Sequence, residues 1–179
     1  MKKVFLGILF LLFVISACTT AEPVEVSQEK VATTEPFSDW MTTPLEDVHT
    51  GEEFMISDFE GETVLVESFA VWCPTCTKQQ KNIKEFHELY GELTVSVSLD
   101  TDPNEDKEAV LAHAEKNEFD WRYSVAPAGM AQLLIEEYGL TIVSAPSVPI
   151  IMVCPDGSTR LMTGLKDANK LKAEVEAGC

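Results

Sequence analysis

The chain has 179 residues and a formal net charge of −17, from 13 Lys and Arg against 30 Asp and Glu. Such a charge repels phosphate backbones and gains nothing from anionic lipid headgroups, so we exclude nucleic acid as a partner. Hydrophobic residues make up 45% of the sequence, which is enough for an ordinary core, and the length fits a single domain.

The first 18 residues have the layout of an export signal. Two lysines precede the apolar run Val4–Ile15, and Ser16-Ala17-Cys18 follows it. The run is shorter than the roughly 20 residues that a membrane-spanning helix needs. This ending resembles the bacterial lipobox, in which the cysteine becomes the lipidated first residue of the mature protein. We therefore predict a lipoprotein signal at 1–18 and an extracytoplasmic protein that lipidated Cys18 anchors to a membrane; a secreted protein with a coincidental Cys18 is the alternative.

Residues 19–43 are rich in Thr, Glu, Val, Ser and Pro and show no stable period. This composition predicts a flexible polar tether, with a folded domain at 44–179. Phe37, Trp40 and Met41 are the exceptions, and we expect them to pack on the edge of the domain.

The first predicted elements of the domain are a hairpin, a strand and a helix. Short stretches at 45–48 and 53–56 flank a turn, which is typical of a hairpin. The β-favouring run at 63–70 predicts a buried central strand. Apolar residues recur at helical spacing over 74–90, and Gly91 provides a stop signal.

The rest of the chain continues the alternation of strands and helices. The further predicted elements are a strand at 93–99, a helix from a cap at Asp102 or Asn104 to about Asn117, a strand at 119–125, a helix at 129–138, strands at 148–153 and 159–162, and a helix at 166–178. This order indicates an α/β fold with a central mixed sheet, flanking helices and an antiparallel edge.

Cys73 and Cys76 lie where the predicted central strand gives way to the helix. A helix N-terminus offers unpaired N–H groups and a positive potential, both of which favour a thiolate. We predict that Cys73 is the exposed nucleophile and that inward-facing Cys76 resolves the mixed disulfide. A zinc site would need a second ligand pair, and haem attachment would need His where Thr77 stands, so we expect no metal and no cofactor. An inert structural disulfide is the remaining alternative.

The run Thr63–Cys76 resembles the strand and active site of the thioredoxin superfamily, with Trp-Cys-Pro-Thr-Cys at its end. Three further features are similar to the TlpA-like branch, which includes cytochrome c maturation thioredoxins: the hairpin ending in Ser57–Gly61, the strand–helix insertion at 93–117, and Tyr138-Gly139 before a proline-led strand. The resemblance extends over about 45–178. It implies a thioredoxin-like fold and a thiol–disulfide oxidoreductase that acts on exported protein thiols and disulfides and exchanges electrons with a membrane partner.

Glu67 stands six residues before Cys73, inside the predicted central strand. In thioredoxins this position holds a buried aspartate that shuttles a proton to the inner cysteine, and many TlpA-like proteins have Asn there. Burial raises the pKa of a carboxyl because it penalises the charged form. The resemblance therefore implies a catalytic proton-shuttle role for Glu67; a solvated Glu67 on a shifted strand is the alternative.

The resemblance also implies a cis-proline opposite the two cysteines, after a residue whose backbone pairs with a substrate strand. Pro149 fits because it opens the apolar run at 150–153, and Pro146 is the alternative. The predicted substrate-binding residues are Trp72, Pro74, Thr75, Val148 and Pro149. The link at 140–148 is longer than is usual in this family.

Cys154 and Cys179 follow a predicted strand and the last predicted helix. About 12 helical residues rise ~18 Å and about six strand residues ~20 Å, so both cysteines reach the same end of the sheet. We predict a structural disulfide between them, with two isolated thiols as the alternative. The three histidines, His49, His87 and His113, are scattered, and we expect ordinary loop or helix-surface roles for them.

The predicted function is thiol–disulfide exchange in the reducing direction on exported protein clients. Two alternatives use the same fold. A copper-delivery module usually has a CxxxC motif and a distant His, whereas the spacing here is CxxC. A peroxide-reducing enzyme places Thr or Ser three residues before its reactive cysteine, where this chain has Ala70.

Overall fold

A five-stranded mixed sheet is the framework of the computed structural model, which describes residues 38–91 and 93–179. The predicted signal at 1–18, Cys18, Phe37 and most of the predicted tether lie outside the described residues. Trp40 and Met41 are buried against the domain. None of the helices in the described part of the chain is long and apolar enough to cross a membrane.

Strands and helices alternate through most of the domain. The strands are β1 (Leu45–Glu46), β2 (Glu53–Phe54), β3 (Val64–Phe69), β4 (Val95–Asp100), β5 (Arg122–Val125), β6 (Ile150–Val153) and β7 (Thr159–Met162). The helices are α1 (Pro74–Tyr90), α2 (Lys107–Asn117), α3 (Met130–Tyr138) and α4 (Ala168–Ala177), with 3₁₀ turns at Ile56–Phe59, Leu140–Val143 and Ala145–Ser147.

The sheet has the strand order β5-β4-β3-β6-β7. Strands β3, β4 and β5 are parallel, whereas β6 is antiparallel to β3 and β7 is antiparallel to β6. Strands β1 and β2 form a separate antiparallel hairpin. The predicted α/β fold, with its mixed sheet, antiparallel edge and leading hairpin, is confirmed.

Both faces of the sheet are covered, and all six residues of β3 are therefore buried. Successive side chains of a strand point to opposite faces. Leu65 and Phe69 belong to the core cluster under α1, α2 and α4, whereas Val64 and Val66 belong to the cluster under α3. The end of β3 thus delivers the chain into α1 from the centre of the sheet.

The predicted cap of α2 is wrong. The N-cap is Asp106, after both predicted caps, Asp102 and Asn104, and the Asp106 carboxylate accepts the N–H of Ala109 at 2.9 Å. Asp102 is engaged elsewhere, because its carboxylate accepts the indole N–H of Trp72. Asp102 thus makes a contact between distant residues, and Asp106 caps the helix.

Candidate active site

The turn from β3 into α1 holds the Cys73–Cys76 disulfide, whose Cα atoms are 5.3 Å apart. Cys73 is the N-cap of α1, and Pro74 occupies the first turn, where its missing N–H leaves nothing unpaired. The Cys73 Sγ accepts the N–H of Cys76 at 3.1 Å. In the reduced protein the same N–H and the helix dipole would stabilise a thiolate on Cys73.

The prediction that Cys73 is exposed is wrong for this conformation. Cys73 is only 1% exposed and Cys76 is fully buried. Both pack in one cluster with Ala145 and Val148, and the Cys76 Sγ lies 3.1 Å from the carbonyl oxygen of Ala145. The long link at 140–148 provides this cover, because it folds into two 3₁₀ turns rather than running directly into β6.

Val148, the last residue of the 140–148 link, has an unusual backbone conformation. Its φ is +42°, in the left-handed region that a β-branched residue rarely adopts. Its N–H donates to Ala145 O at 2.9 Å, and its side chain is buried. The predicted pairing of Val148 with a substrate strand therefore requires this turn to open. Pro149 lies directly before β6, and its carbonyl accepts the N–H of Ser68.

Two carboxylates hold the residues that precede Cys73. Glu105 accepts the N–H of Val71 at 2.7 Å and the N–H of Trp72 at 3.3 Å. Asp102 accepts the indole N–H of Trp72 at 2.6 Å, although the Trp72 ring remains 58% exposed. The strand–helix insertion thus fixes the corner, a role that sequence patterns alone gave no sign of.

These carboxylates make the corner electrostatically negative. The hydrogen bond from Trp72 holds the pKa of Asp102 below its usual value, so Asp102 is ionised at neutral pH. Burial, together with Glu105 and Asp102, raises the pKa of neighbouring Asp100 to about 7. Negative charge close to the corner opposes the stabilisation that the N-terminus of α1 gives to a Cys73 thiolate.

Glu67 lies between Leu65 and Phe69 in β3, and strand alternation points its side chain toward the cluster that contains Cys76. It is only 1% exposed, and its Oε2 accepts the hydroxyl of Ser98 at 3.1 Å. Burial raises the pKa of Glu67 to about 8, although hydrogen bonding to Gln80 and Ser98 partly opposes this shift. The structure thus brings the inner cysteine and a carboxyl group that can both give and take a proton near neutral pH to the same side of the sheet.

Gln80 and His113 extend this polar region into the helical layer. The Gln80 Oε1 and the His113 Nε2 lie 2.7 Å apart, and both residues are buried. The expectation that His113 is an ordinary surface residue is therefore wrong. The spacing of four residues between Cys76 and Gln80 was the available signal, because it puts both on one helix face.

The second pair of cysteines also forms a disulfide. Cys154, at the end of β6, and Cys179, after α4, have Cα atoms 6.1 Å apart. Cys154 is buried, whereas Cys179 is exposed. The bond fastens the last residue of the chain to the sheet.

Comparison with known proteins agrees with this architecture. The Redoxin family model matches residues 30–153. Comparison with curated protein sequences gives no significant match.

Several solved structures are similar in fold. A secreted Mycobacterium tuberculosis disulfide oxidoreductase, described as homologous to DsbE of E. coli, is 13% identical over 77% of this chain and 97% of its own, with a TM-score of 0.62. StoA from Bacillus subtilis is 18% identical over 73% and 93%, with a TM-score of 0.58. An exposed lipoprotein thioredoxin of Streptococcus pneumoniae is 19% identical over 75% and 98%, with a TM-score of 0.58. The chain belongs to the Redoxin family and is a thiol–disulfide oxidoreductase of thioredoxin fold with Cys73 and Cys76 as its CxxC pair.

Proposed function

We propose that the reduced protein donates electrons from Cys73 and Cys76 to disulfides of exported protein clients. The observation that carries this proposal is the Cys73–Cys76 disulfide at the N-terminus of α1, with Glu67 buried on the same side of the sheet. The roles of the two cysteines follow from their places in the helix. Cys73 precedes the first turn and can meet a client once the 140–148 link opens, whereas Cys76 lies behind it.

The exchange proceeds in two steps. The Cys73 thiolate attacks one sulfur of the client disulfide, which forms a mixed disulfide and releases the other client sulfur as a thiolate. The Glu67 carboxylate then accepts the thiol proton of Cys76, and the resulting thiolate attacks the Cys73 sulfur. The second client sulfur leaves as a thiolate, and both client thiolates take protons from water. The client gains two electrons, and the protein ends with its disulfide.

The acidic corner supports the reducing direction. A redox protein is a strong oxidant when its reduced form is stabilised as a thiolate. Asp102 and Glu105 act against that stabilisation next to Cys73, so they favour the disulfide and make the dithiol a better electron donor.

The equilibrium with a glutathione redox buffer tests this direction. We expect the pair to remain mostly oxidised in a buffer poised at the glutathione potential, because an electron donor gives its electrons to that couple. The oxidised and reduced fractions are measured by trapping free thiols with a bulky alkylating reagent. A mostly reduced pair would instead indicate an oxidase of client thiols.

We further propose that lipidated Cys18 anchors the protein on the extracytoplasmic side of a membrane, where a membrane electron-transfer partner returns it to the dithiol state. The support is the lipobox-like Ser16-Ala17-Cys18 after an apolar run too short to span. Clients are proteins whose disulfides fit beside the exposed Trp72, Pro74 and Thr75. The Cys18→Ala variant should leave the membrane fraction, which membrane fractionation and labelling with a radioactive fatty acid would measure. A variant that stays firmly membrane-bound would contradict lipid anchoring.

A further inference from the structure

Two neighbouring glutamines of α1 are fully buried, and they differ in what their amides contact. Gln79 is satisfied by backbone groups, because its Nε2 donates to Lys166 O at 3.1 Å and its Oε1 accepts the N–H of Lys166 at 2.8 Å. The Gln80 Oε1 pairs with the His113 imidazole, but its Nε2 has no hydrogen-bond partner among the described residues.

The unpaired amide nitrogen of Gln80 faces a complementary group. Glu67 Oε1 is likewise buried and has no hydrogen-bond partner within 38–91 and 93–179. Gln80 is close enough to this carboxyl to lower its pKa against the effect of burial. A buried donor and a buried acceptor that each lack a partner are costly, so a small rotation that joins them is favourable.

The amide of a glutamine presents a donor on one side and an acceptor on the other. When Glu67 is ionised, the Gln80 NH₂ donates to the carboxylate and the Gln80 oxygen accepts the Nε2–H of His113. When Glu67 has taken the Cys76 proton, the reversed amide accepts the Glu67 O–H and donates to an unprotonated Nε2. No proton passes through the amide; its orientation links the state of the carboxyl to the state of the imidazole.

We propose that Gln80 is a positioning residue for proton transfer between Cys76 and Glu67, and that its amide couples the ionisation of Glu67 to the imidazole of His113. The inference rests on the proposed function, since it concerns the base of that exchange. It assigns a role to two buried polar side chains, Gln80 on α1 and His113 on α2.

Other groups around the pair are few and can be held constant. The Tyr123 hydroxyl of β5 interacts with Glu67 and, like the Gln80 Nε2, is buried without a hydrogen-bond partner among the described residues; burial keeps the pKa of that phenol raised, so it stays neutral. Glu105 and Lys116 act on His113 in opposite directions, and burial lowers the pKa of His113, so the imidazole is largely neutral near pH 7. Neither Tyr123 nor His113 changes its charge near pH 7, so a shift of the Glu67 ionisation in a Gln80 variant reports the loss of the amide.

The test compares Gln80→Leu with the matched control Gln79→Leu. The ionisation of Glu67 is followed in the oxidised protein by carbon-13 NMR of its carboxyl, so cysteine titration does not interfere. In Gln80→Leu the carboxylate loses an amide donor, and we expect the Glu67 midpoint to rise by about one pH unit, a tenfold change in its ionisation constant. Gln79→Leu should lower thermal stability and leave the midpoint unchanged.

Exchange kinetics give the second measurement. We expect Gln80→Leu to slow resolution of the mixed disulfide roughly fivefold to tenfold near neutral pH and to recover the parent rate at alkaline pH. His113→Leu should shift the pH–rate profile in the same direction as Gln80→Leu but by a smaller amount. The Gln80 amide is then kept, and only its imidazole partner is lost. If Gln80→Leu does not fold, Gln80→Met is measured instead.

An unmoved Glu67 midpoint in Gln80→Leu, or an equal shift in Gln79→Leu, overturns the proposal. These outcomes are separate from failure of the proposed function, which would appear as absence of exchange by the parent protein. The NMR titration of the oxidised protein decides the coupling even in that case.

Discussion

The two disulfides of the chain lie in contrasting surroundings. Cys73 and Cys76 are separated by three positions, both are buried, and two carboxylates bind the residues just before them. Cys154 and Cys179 are separated by 25 positions, and Cys179 is exposed at the end of the chain. Exposure therefore does not identify the reactive bond. Among the residues that the structure describes, the groups that control protons and thiolates lie around the first pair.

The difference shows what each bond does physically. A short loop removes little entropy from the unfolded chain, so its formation has a small effect on stability and can be reversed during turnover. A long loop restricts the unfolded chain strongly and suits a permanent fastening. The surroundings of the first pair suit electron transfer, and the length of the second loop suits stability.

The largest contrast is expected in activity. Cys73→Ser should abolish reduction of a model protein disulfide, because no nucleophile remains at the corner, whereas Cys179→Ser should keep the parent rate. The Cys76→Ser protein should accumulate a mixed disulfide with its client, visible as a band on non-reducing gels. A trapped adduct in Cys73→Ser but not in Cys76→Ser would show that the roles are reversed.

Stability should show the opposite contrast. The chain-entropy relation gives about 3.5 kcal/mol for the Cys154–Cys179 loop and about 1.6 kcal/mol for the Cys73–Cys76 loop, from their separations of 25 and 3. Both contributions are measured by urea unfolding, under oxidising conditions, of two variants in which either Cys73 and Cys76 or Cys154 and Cys179 are replaced by serine. Equal losses would mean that loop length does not distinguish the two bonds.

Glu67→Gln should have an intermediate effect that is confined to the first site. Without a carboxylate to accept the Cys76 proton, exchange near neutral pH should slow several-fold, and the ionisation near pH 8 should disappear from the pH–rate profile. Glu85→Gln, an exposed substitution on α1, is the control. An unchanged rate and profile in Glu67→Gln would make the carboxyl a bystander.

The same substitution should stabilise the fold at neutral pH. The pKa of Glu67 is about 8 in the folded protein against 4.5 for a free carboxyl, so the folded state binds the proton more tightly. The stability of the parent therefore falls as the pH rises from 4.5 to 8, and Gln removes this loss. We expect a gain of about 1–3 kcal/mol at neutral pH and none below the free-carboxyl pKa, measured by denaturant unfolding.

The smallest effect concerns the Trp72 ring. Asp102→Ala removes the acceptor of the indole N–H, so the exposed ring loses its fixed orientation. We expect KM for a protein client to rise about twofold to threefold, because one neutral-to-charged hydrogen bond positions the ring. Asp156→Ala, which removes a carboxylate in the β6–β7 turn, is the control. A fall in kcat alone would assign Asp102 to the chemical step.

The predictable parts of the fold are those with strong local signals. Helix α1 runs from Pro74 to Tyr90 as its periodicity and flanking Pro and Gly predicted, and β7 has its predicted bounds. The start of α2 could not be predicted as well, because several acidic residues compete for the cap and a distant tryptophan occupies one of them. Local chemistry offers the candidates, and tertiary contacts select among them.

The features of the candidate site likewise divide into those that the sequence could predict and those that tertiary contacts determine. The CxxC pair follows from its spacing before a helix, and the resemblance to thioredoxins indicated a buried Glu67, so both were accessible from the sequence. The burial of Cys73 was not, because its cover comes from Ala145 and Val148, about 70 positions away. The contact between Gln80 and His113 joins two helices whose relative placement no local pattern specifies.

The turn at Ala145–Ser147 gives the redox pair kinetic insulation. Thiol–disulfide exchange needs an incoming thiolate to reach one of the two sulfurs, and here both cysteines are buried, with the Cys76 Sγ against the Ala145 carbonyl. Free small-molecule thiols and oxidants thus meet an obstructed bond even where the equilibrium favours reaction. A protein that binds the corner firmly enough to displace the turn gains access. The oxidised pair is in this way shielded from thiols in the surrounding medium and becomes accessible on contact with a docked partner.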